Sequence, residues 1–274
     1  MNKTNKDKAR RHTARFWSIP EYKDITNRAI HNSVIYTGGT DTAPKKAKAR
    51  YNRTIQSVDN VDVFESIVYC RTYPDEFGKV AVCNFSSYKR PGGGFMDGSY
   101  AQEERLCHAS NLYNVLSARM EFYEYNTRKE NMKDGLYTDR CLYSPGITFM
   151  TLGDEDIVCL CDVITCAAPN AGRYTKYWEK ENLGNTAERD KNIYNTLYDR
   201  IKFIFDVAAE NKVDTLIFGA YGCGVFKCDP VDVASICNEL IEGEYKGVFK
   251  KVIYAIHSKT PYNYNTFKHI IKES

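Results

Sequence analysis

The chain has 274 residues, of which 43% are hydrophobic and 27% are charged, and its formal net charge is only +3. This length fits one large domain or two small ones with a sizeable core, and the near-balanced charge argues against binding nucleic acid by bulk charge. No apolar run approaches the roughly 20 residues of a membrane helix, and no apolar core follows the basic start as it would in a signal peptide.

The first 50 or so residues are polar and basic. Six basic side chains and one acidic side chain, Asp7, lie within the first 16 positions: Lys3, Lys6, Lys8, Arg10, Arg11 and Arg15 are the basic ones. Such a start is typical of a solvated, partly disordered segment, and the alternative is an arm that attracts a polyanion. Residues 14–30 are compatible with a helix. We predict a basic, partly helical N-terminal extension over residues 1–50 and the main domain over residues 51–274.

After a predicted loop at residues 38–46, strand-like runs alternate with helical patterns. Continuous apolar runs predict strands within residues 79–87, 156–169, 214–224 and 250–258. Helical spacing of apolar residues predicts helices at 102–116, 186–212 and 229–243, the last with an Asp229 cap and Pro230 in its first turn. This alternation indicates a layered α/β domain.

The stretch "RPGGGFMDGSYAQEE" (90–104) joins the first of these strands to the first of these helices. Three consecutive glycines, Gly92, Gly93 and Gly94, let the backbone take positive φ and approach a ligand closely, although a flexible surface turn would look the same. Glu103 and Glu104 then fall in the first turn of the helix, where carboxylates also serve as capping charges. Adjacent helical side chains diverge by about 100°. We therefore expect one carboxylate to face a reacting centre and the other to hold a neighbouring hydroxyl.

A second glycine-rich loop, "FGAYGCGVFKCDP" (218–230), leaves another strand and enters another helix. Gly222 and Gly224 loosen the turn, and the amino end of the helix from Pro230 favours anions, as in phosphate-binding loops. Phe226 is either a core residue or a contact for a ribose or base. Together the two loops indicate a ligand with sugar and phosphate parts.

The ten cysteines do not form a disulfide framework, because several lie inside apolar strand-like runs: Cys83, Cys159, Cys161 and Cys166. We expect them to be reduced core residues of a cytoplasmic protein. There is no CxxC motif, and the five histidines form no close pair, so we expect no metal site. No cofactor is predicted either.

Five segments in order resemble the microbial-type branch of the poly(ADP-ribose) glycohydrolases: "NFSSYKRPGGG", "AQEERLCHASNLYNVL", "YSPGI", "DVITCAAPNAG" and "GAYGCGVFKCDPVDVA". The glycines and the Gln-Glu-Glu are separated by seven residues, which fits the family signature. The resemblance runs from about residue 61 to 256. It implies a macrodomain-like three-layer α/β/α sandwich with a mixed central sheet and ADP-ribose bound at the strand ends.

The resemblance also implies the reaction, which is hydrolysis of the ribose–ribose O-glycosidic bond of poly(ADP-ribose) from chain ends, with release of ADP-ribose. Glu104 takes the catalytic position, as general acid and base, and Glu103 and Gln102 match residues that hold the ribose and order the loop. The other matched positions fall into the loop around the terminal ribose (Asn84, Gly92, Gly93, Gly94), the diphosphate loop (Gly222, Cys223, Gly224, Val225) and the aromatic residue that positions the ribose (Phe226).

The implied partners are poly(ADP-ribose) or ADP-ribosylated proteins as substrate and ADP-ribose as product. No membrane is implied, and nucleic acid enters only as a modified substrate. Three other interpretations stay open at this point. One is a hydrolase that removes a single ADP-ribose from protein or nucleic acid, and another is a non-catalytic ADP-ribose-binding macrodomain, which would need the glycine loops but not Glu104. The third is an α/β protein whose loops are structural only.

Overall fold

The computed structural model describes residues 3–151, 156–257 and 261–273. Within these residues seven strands form one mixed sheet in the order β1-β4-β5-β3-β6-β7-β2. The strands are β1 (Val34–Thr37), β2 (Ile55–Asp59), β3 (Val80–Phe85), β4 (Arg140–Met150), β5 (Ile157–Cys166), β6 (Thr215–Phe218) and β7 (Lys251–Ala255). The strands from β5 to β2 run parallel, whereas β4 is antiparallel to both β5 and β1.

Helices cover both faces of this sheet. They are α1 (Lys3–Ser18), α2 (Pro20–Asn32), α3 (Val63–Thr72), α4 (Pro74–Phe77), α5 (Gln102–His108), α6 (Leu112–Ser117), α7 (Met120–Thr127), α8 (Lys129–Met132), α9 (Ala171–Lys180), α10 (Thr186–Glu210), α11 (Pro230–Glu242) and α12 (Tyr262–Ile270), with short 3₁₀ turns at Phe95–Asp97 and Lys133–Gly135. Successive residues of β3 point to opposite faces, as the strand period of two requires. Cys83 enters the core beneath α10 and α11, and Val82 enters the core beneath α3, α5 and α6. The predicted three-layer sandwich with a mixed sheet is confirmed.

Most of the elements predicted from the sequence are present. The four apolar runs contain β3, β5, β6 and β7, although Ser258, the last residue of the fourth run, lies outside the described residues. Helices α10 and α11 match their predicted bounds within a few residues. The Asp229 side chain caps α11 by accepting a hydrogen bond from the Val231 N–H at 2.8 Å.

The single helix predicted over residues 102–116 is wrong, because the chain forms two helices there, α5 and α6. Residues 109–111 turn aside to pair with strand β4. The Ala109 carbonyl accepts a hydrogen bond from the Met150 N–H at 2.7 Å, and the Asn111 carboxamide oxygen accepts one from the Thr148 N–H at 3.0 Å. Hydrogen bonds to a strand about 40 positions away in sequence therefore replace the helical bonds that local periodicity predicts.

The structure also corrects the expectation of a solvated, partly disordered start. Residues 1 and 2 and the side chains of Lys3 and Thr4 lie outside the described part, but α1 buries Ala9 and Phe16 almost completely. Strand β1 continues the central sheet by pairing with β4. The first 50 residues thus share the core of the remaining chain. The division of the chain at residue 50 stays a prediction.

The cysteines behave as small core residues. All ten are free thiols, and eight of them are buried, the exceptions being Cys159 and Cys223, which are half-buried. Among the described helices, none is both long and apolar enough to cross a bilayer.

Arg200 of α10 is a buried cation that joins three segments beneath one end of the sheet. Its side chain is only 1% exposed, and its Nε donates to Asp139 Oδ1 at 2.6 Å. Its Nη2 donates to the Leu136 carbonyl at 3.0 Å, and its Nη1 donates to the Ala167 carbonyl. Because Ala167 directly follows β5, this guanidinium fixes the chain where it leaves the sheet.

We expect Arg200→Met to lower the free energy of unfolding by about 3 kcal/mol, since it leaves one carboxylate and two carbonyls without their donor. Lys191→Met, at an exposed position of the same helix, is the matched control and should stay within about 0.5 kcal/mol of the wild type. Urea unfolding followed by circular dichroism measures both. Equal losses in the two variants would contradict the role given to Arg200.

Candidate active site

A cleft of about 680 Å³ opens at the carboxyl ends of the parallel strands, which is where open α/β sheets bind ligands. Most of its lining comes from four parts of the chain: residues 85–87 at the end of β3; Gly93 with residues 100–105 at the start of α5; Ala220, Gly222 and residues 224–226 after β6; and residues 255–257 at the end of β7. Asp62, Val63, Ala168 and Asn263 complete the lining. Both glycine loops identified in the sequence therefore face the same space.

Glu104 ties the first glycine loop to helix α5. Its Oε1 accepts a hydrogen bond from the Gly94 N–H at 2.8 Å, and its Oε2 accepts one from the Ala101 N–H at 2.9 Å. The side chain is only 8% exposed, yet it lines the cleft. One carboxylate thus caps the helix and orders the loop.

Glu103 is held by the chain that leaves β3. Its Oε2 accepts a hydrogen bond from the Ser87 N–H at 2.8 Å, and its Oε1 accepts one from Asn84 Nδ2 at 3.3 Å. Burial raises the pKa of Glu103 to about 8; the Ser87 N–H opposes this rise, and the neighbouring Glu104 charge adds to it. With this pKa, the Glu103 carboxyl is largely protonated at neutral pH.

The two carboxylates converge on Gly93 although they belong to adjacent residues. Gly93 has φ of +56°, and a Cβ added there would lie 2.6 Å from Glu104 Oε1 and 2.8 Å from Glu103 Oε2. Only a glycine satisfies both the backbone conformation and the close approach of two side chains.

Gln102 pins the start of α5 to the end of β3. Its Oε1 accepts a hydrogen bond from the Phe85 N–H at 2.9 Å, and its Nε2 donates to the Cys83 carbonyl at 2.8 Å. The carboxamide therefore pairs with the strand backbone much as a neighbouring strand would.

The second glycine loop forms another wall of the cleft. Gly222 has φ of +73°, and a Cβ there would lie 2.7 Å from Cys228 Sγ, so the turn is both tight and left-handed. Val225 is 84% exposed, and Phe226 is half-buried. At the amino end of α11, the predicted Asp229 cap is present and accepts a hydrogen bond from the Val231 N–H.

The cleft brings together most of the predicted site residues. Eight of them line it: Gly93, Gln102, Glu103, Glu104, Gly222, Gly224, Val225 and Phe226. The other four, Asn84, Gly92, Gly94 and Cys223, are not among its lining residues.

Sequence reasoning missed several lining residues, of which the clearest are Ser87, His257, Tyr100 and the Asp62–Arg105 pair. Ser87 and His257 lie two residues beyond the ends of β3 and β7, a position that is itself a signal for ligand contact. Arg105 Nε lies 2.9 Å from Asp62 Oδ2. No local sequence pattern predicts this ion pair, because the two residues are 43 positions apart.

Helix α1 supports the first glycine loop from behind. His12 and Phe95 have ring centroids 6.4 Å apart, and Thr13 Oγ1 lies 3.9 Å from Met96 Sδ. Lys6 Nζ lies 3.9 Å from Asp97 Oδ1. The N-terminal helix therefore packs on the 3₁₀ turn that follows the three glycines.

Comparison with known proteins fits this geometry. The family model "Microbial-type PARG, catalytic domain", where PARG is poly(ADP-ribose) glycohydrolase, matches residues 17–151. The solved structure of poly(ADP-ribose) glycohydrolase from Thermomonospora curvata is 26% identical, with a TM-score of 0.79 over 98% of this chain and 100% of that chain. The enzyme from Deinococcus radiodurans in complex with ADP-ribose is 28% identical, with a TM-score of 0.73 over 89% and 96% of the two chains.

The Thermomonospora curvata enzyme bound to the inhibitor ADP-HPD is also similar, at 25% identity and a TM-score of 0.75 over 98% of this chain and 99% of that chain. Among curated proteins, none matches this chain. The fold and the cleft define an α/β protein of the macrodomain-like class. Within that class, the chain is similar to the microbial-type poly(ADP-ribose) glycohydrolases, as the sequence resemblance implied.

We expect Gly93→Ala to abolish most activity and to destabilise the protein, because the added Cβ displaces both carboxylates. Gly39→Ala is the matched control: Gly39 has φ of +70° but no atom within 4 Å of an added Cβ. It should lose only the strain of a left-handed alanine, about 1–2 kcal/mol, and keep its activity. Thermal unfolding and a turnover assay distinguish the two variants. Equal losses of stability and activity in the two variants would show that the close approach of the two carboxylates to Gly93 is unimportant.

The raised pKa of Glu103 makes stability depend on pH. Between about pH 4.5 and 8 this carboxyl is protonated when folded and ionised when unfolded, so the folded state binds more protons. Its contribution to stability is complete below about pH 4.5 and is lost as the pH rises towards 8, by at most about 1.4 kcal/mol per pH unit. We expect Glu103→Gln to flatten this fall. The midpoints of urea unfolding at pH 5 and pH 8 measure this loss of stability. Parallel pH profiles for the variant and the wild type would refute the raised pKa of Glu103.

Proposed function

We propose that the protein hydrolyses the ribose–ribose O-glycosidic bond of poly(ADP-ribose) and releases ADP-ribose from chain ends. The observation that carries this proposal is the convergence of Glu103 and Glu104 on Gly93, in a cleft that has the second glycine loop as another wall. The similarity to solved poly(ADP-ribose) glycohydrolases, one of them in complex with ADP-ribose, supports it.

In the proposed complex, the second glycine loop holds the diphosphate. Its residues 222–225 include two glycines, so backbone N–H groups can approach phosphate oxygens without a Cβ in the way. Phe226 follows directly in the same wall of the cleft, and we assign it to the terminal ribose. The first glycine loop, residues 92–94, encloses that ribose from the side of the carboxylates.

Glu104 acts as general acid and then as general base. The protonated carboxyl gives its proton to the 2′ oxygen of the leaving unit while the bond from that oxygen to the anomeric carbon breaks. The sugar gains oxocarbenium character, which the nearby diphosphate stabilises electrostatically. The Glu104 carboxylate then takes a proton from the water that attacks the anomeric carbon, and the carboxyl is restored for the next cycle.

Glu103 and Asn84 have different roles from Glu104. A Glu103 carboxyl that is protonated near neutral pH can donate its O–H to an acceptor as well as accept from a ribose hydroxyl. Asn84 is fully buried and acts through Glu103, because its Nδ2 lies 3.3 Å from Glu103 Oε1. We therefore assign Glu103 to substrate positioning and Asn84 to the orientation of Glu103.

We also propose poly(ADP-ribose) or ADP-ribosylated proteins as the substrate and a cytoplasmic location. The location is supported by the cysteines, all ten of which are free thiols in the structure; reducing compartments keep thiols in this state.

Glu104→Gln should lower the turnover of poly(ADP-ribose) by about 10²–10⁴-fold, the usual contribution of general acid–base catalysis. Its affinity for ADP-ribose should change little, since an amide oxygen can still accept one of the two backbone hydrogen bonds. Release of ADP-ribose from defined polymer, followed by chromatography, measures turnover, and calorimetry measures binding. Parallel reactions with a mono-ADP-ribosylated protein test whether a polymer is required.

The matched control is Glu188→Gln, the same change in the first turn of the exposed start of α10. It should leave both turnover and binding unchanged. Wild-type turnover in Glu104→Gln would refute the assignment of the catalytic acid. Binding of ADP-ribose by a wild-type protein that releases none from polymer or from modified protein would identify a binding module instead.

A further inference from the structure

A second cavity, of about 420 Å³, adjoins the cleft. It is lined by Asn170, Gly172, Arg173, Lys176, Val225 and Lys227, and Val225 lines the cleft as well. The exposed tip of the second glycine loop therefore contacts both spaces. We call the second one the basic groove, after its three cations Arg173, Lys176 and Lys227.

The basic groove carries one sign of charge. No carboxylate is among its lining residues, and in the part of the chain that the structure describes none of the three cations lies within ion-pair distance of an acidic group. The polar contact that Arg173 makes through its guanidinium is a hydrogen bond from Nη1 to the Tyr88 hydroxyl at 3.3 Å. A concave surface with only positive charge concentrates anions.

Backbone contacts hold the groove in a fixed relation to the cleft. The Gly172 N–H, in the first turn of α9, donates to the Phe226 carbonyl at 3.1 Å, which joins this helix to the second glycine loop. Lys227 packs on the same turn, since a Cβ at Gly172 would lie 3.1 Å from Lys227 Cγ. The groove is therefore built on the same loop that we assign to the diphosphate.

Aromatic contacts join the groove to the segment that leads from β3 towards the first glycine loop. The rings of Tyr88 and Tyr137 stack with centroids 4.2 Å apart, and Tyr137 lies 6.3 Å from the Phe226 ring. Tyr88 directly follows Ser87, whose N–H holds Glu103. Arg173, which contacts Tyr88, is thus linked to the segment of chain that holds Glu103.

We propose that the basic groove binds a phosphate or pyrophosphate of the polymer that lies outside the ADP-ribose unit held in the cleft. This inference rests on the proposed function. Each unit of poly(ADP-ribose) carries a pyrophosphate, so a chain with one unit in the cleft presents further anions to a cationic surface next to it. The groove adds affinity for polymer over single ADP-ribose through salt-sensitive contacts.

The test compares the double variant Lys176→Gln/Lys227→Gln with wild type. Both lysines are exposed, so the variant should fold. We expect its KM for polymer at low salt to rise about fivefold, with the slope of log KM against log salt reduced by about 1.4, because two phosphate contacts are lost. Its affinity for ADP-ribose should be unchanged. Lys48→Gln/Lys246→Gln, which removes the same charge at exposed positions near the start of β7, should match wild type in every assay.

Three results would overturn the inference. An unchanged KM for polymer would remove the groove from substrate binding. An equal loss of affinity for free ADP-ribose would assign the lysines to the unit in the cleft. Binding of inorganic pyrophosphate that is lost in the variant without any change in the KM for polymer would indicate a site for free phosphates. If the wild type has no turnover, the proposed function fails separately, and direct binding of polymer to Glu104→Gln, with and without the lysine changes, still tests the groove.

Discussion

The Glu104 carboxylate determines the shape of the site through two short hydrogen bonds, from the Gly94 and Ala101 N–H groups. Three consecutive glycines lose more conformational entropy on ordering than any other residues would. Such a loop therefore needs a strong partner, and a carboxylate that accepts from backbone N–H groups makes a charge-assisted bond. The group that we propose as the catalytic acid thus also organises the loop, and the shape of the cleft depends on its two hydrogen bonds.

Each of the three side chains in the first turn of α5 forms a hydrogen bond with the backbone of a neighbouring segment in the same way. Gln102 bonds the backbone of β3, Glu103 bonds the chain just after that strand, and Glu104 bonds the glycine loop. The contacts that cap the helix and hold its start therefore also place these three side chains at the cleft. Since each partner segment also lines or borders the cleft, a change at any of these three positions alters the backbone around the ligand as well as the side chain.

Sequence predicted well wherever the determining interactions are local. The apolar runs of β3 and β5 and the helical period of α10 are properties of short sequence segments. The glycine loops are recognisable from their composition alone. Contacts between distant residues were not predictable. His12 forms a hydrogen bond with the Ser110 carbonyl, 98 positions away in sequence. Asn111 interrupts the single helix predicted there and bonds Thr148 of β4 instead. Arg105 and Asp62 meet only because the fold brings α5 beside the start of α3, so their position at the cleft had no signal in either segment.

Charge balance in the cleft explains why two adjacent acids can face an anionic ligand. Two ionised carboxylates against one glycine would repel each other and any diphosphate bound nearby. Burial and the neighbouring Glu104 raise the pKa of Glu103 to about 8, which removes most of one negative charge at neutral pH. Arg173, Lys176 and Lys227 add positive charge on the far side of Val225. In the proposed complex, the largely neutral Glu103 carboxyl therefore lessens the repulsion of the diphosphate, while the cations of the basic groove attract further phosphates of the polymer.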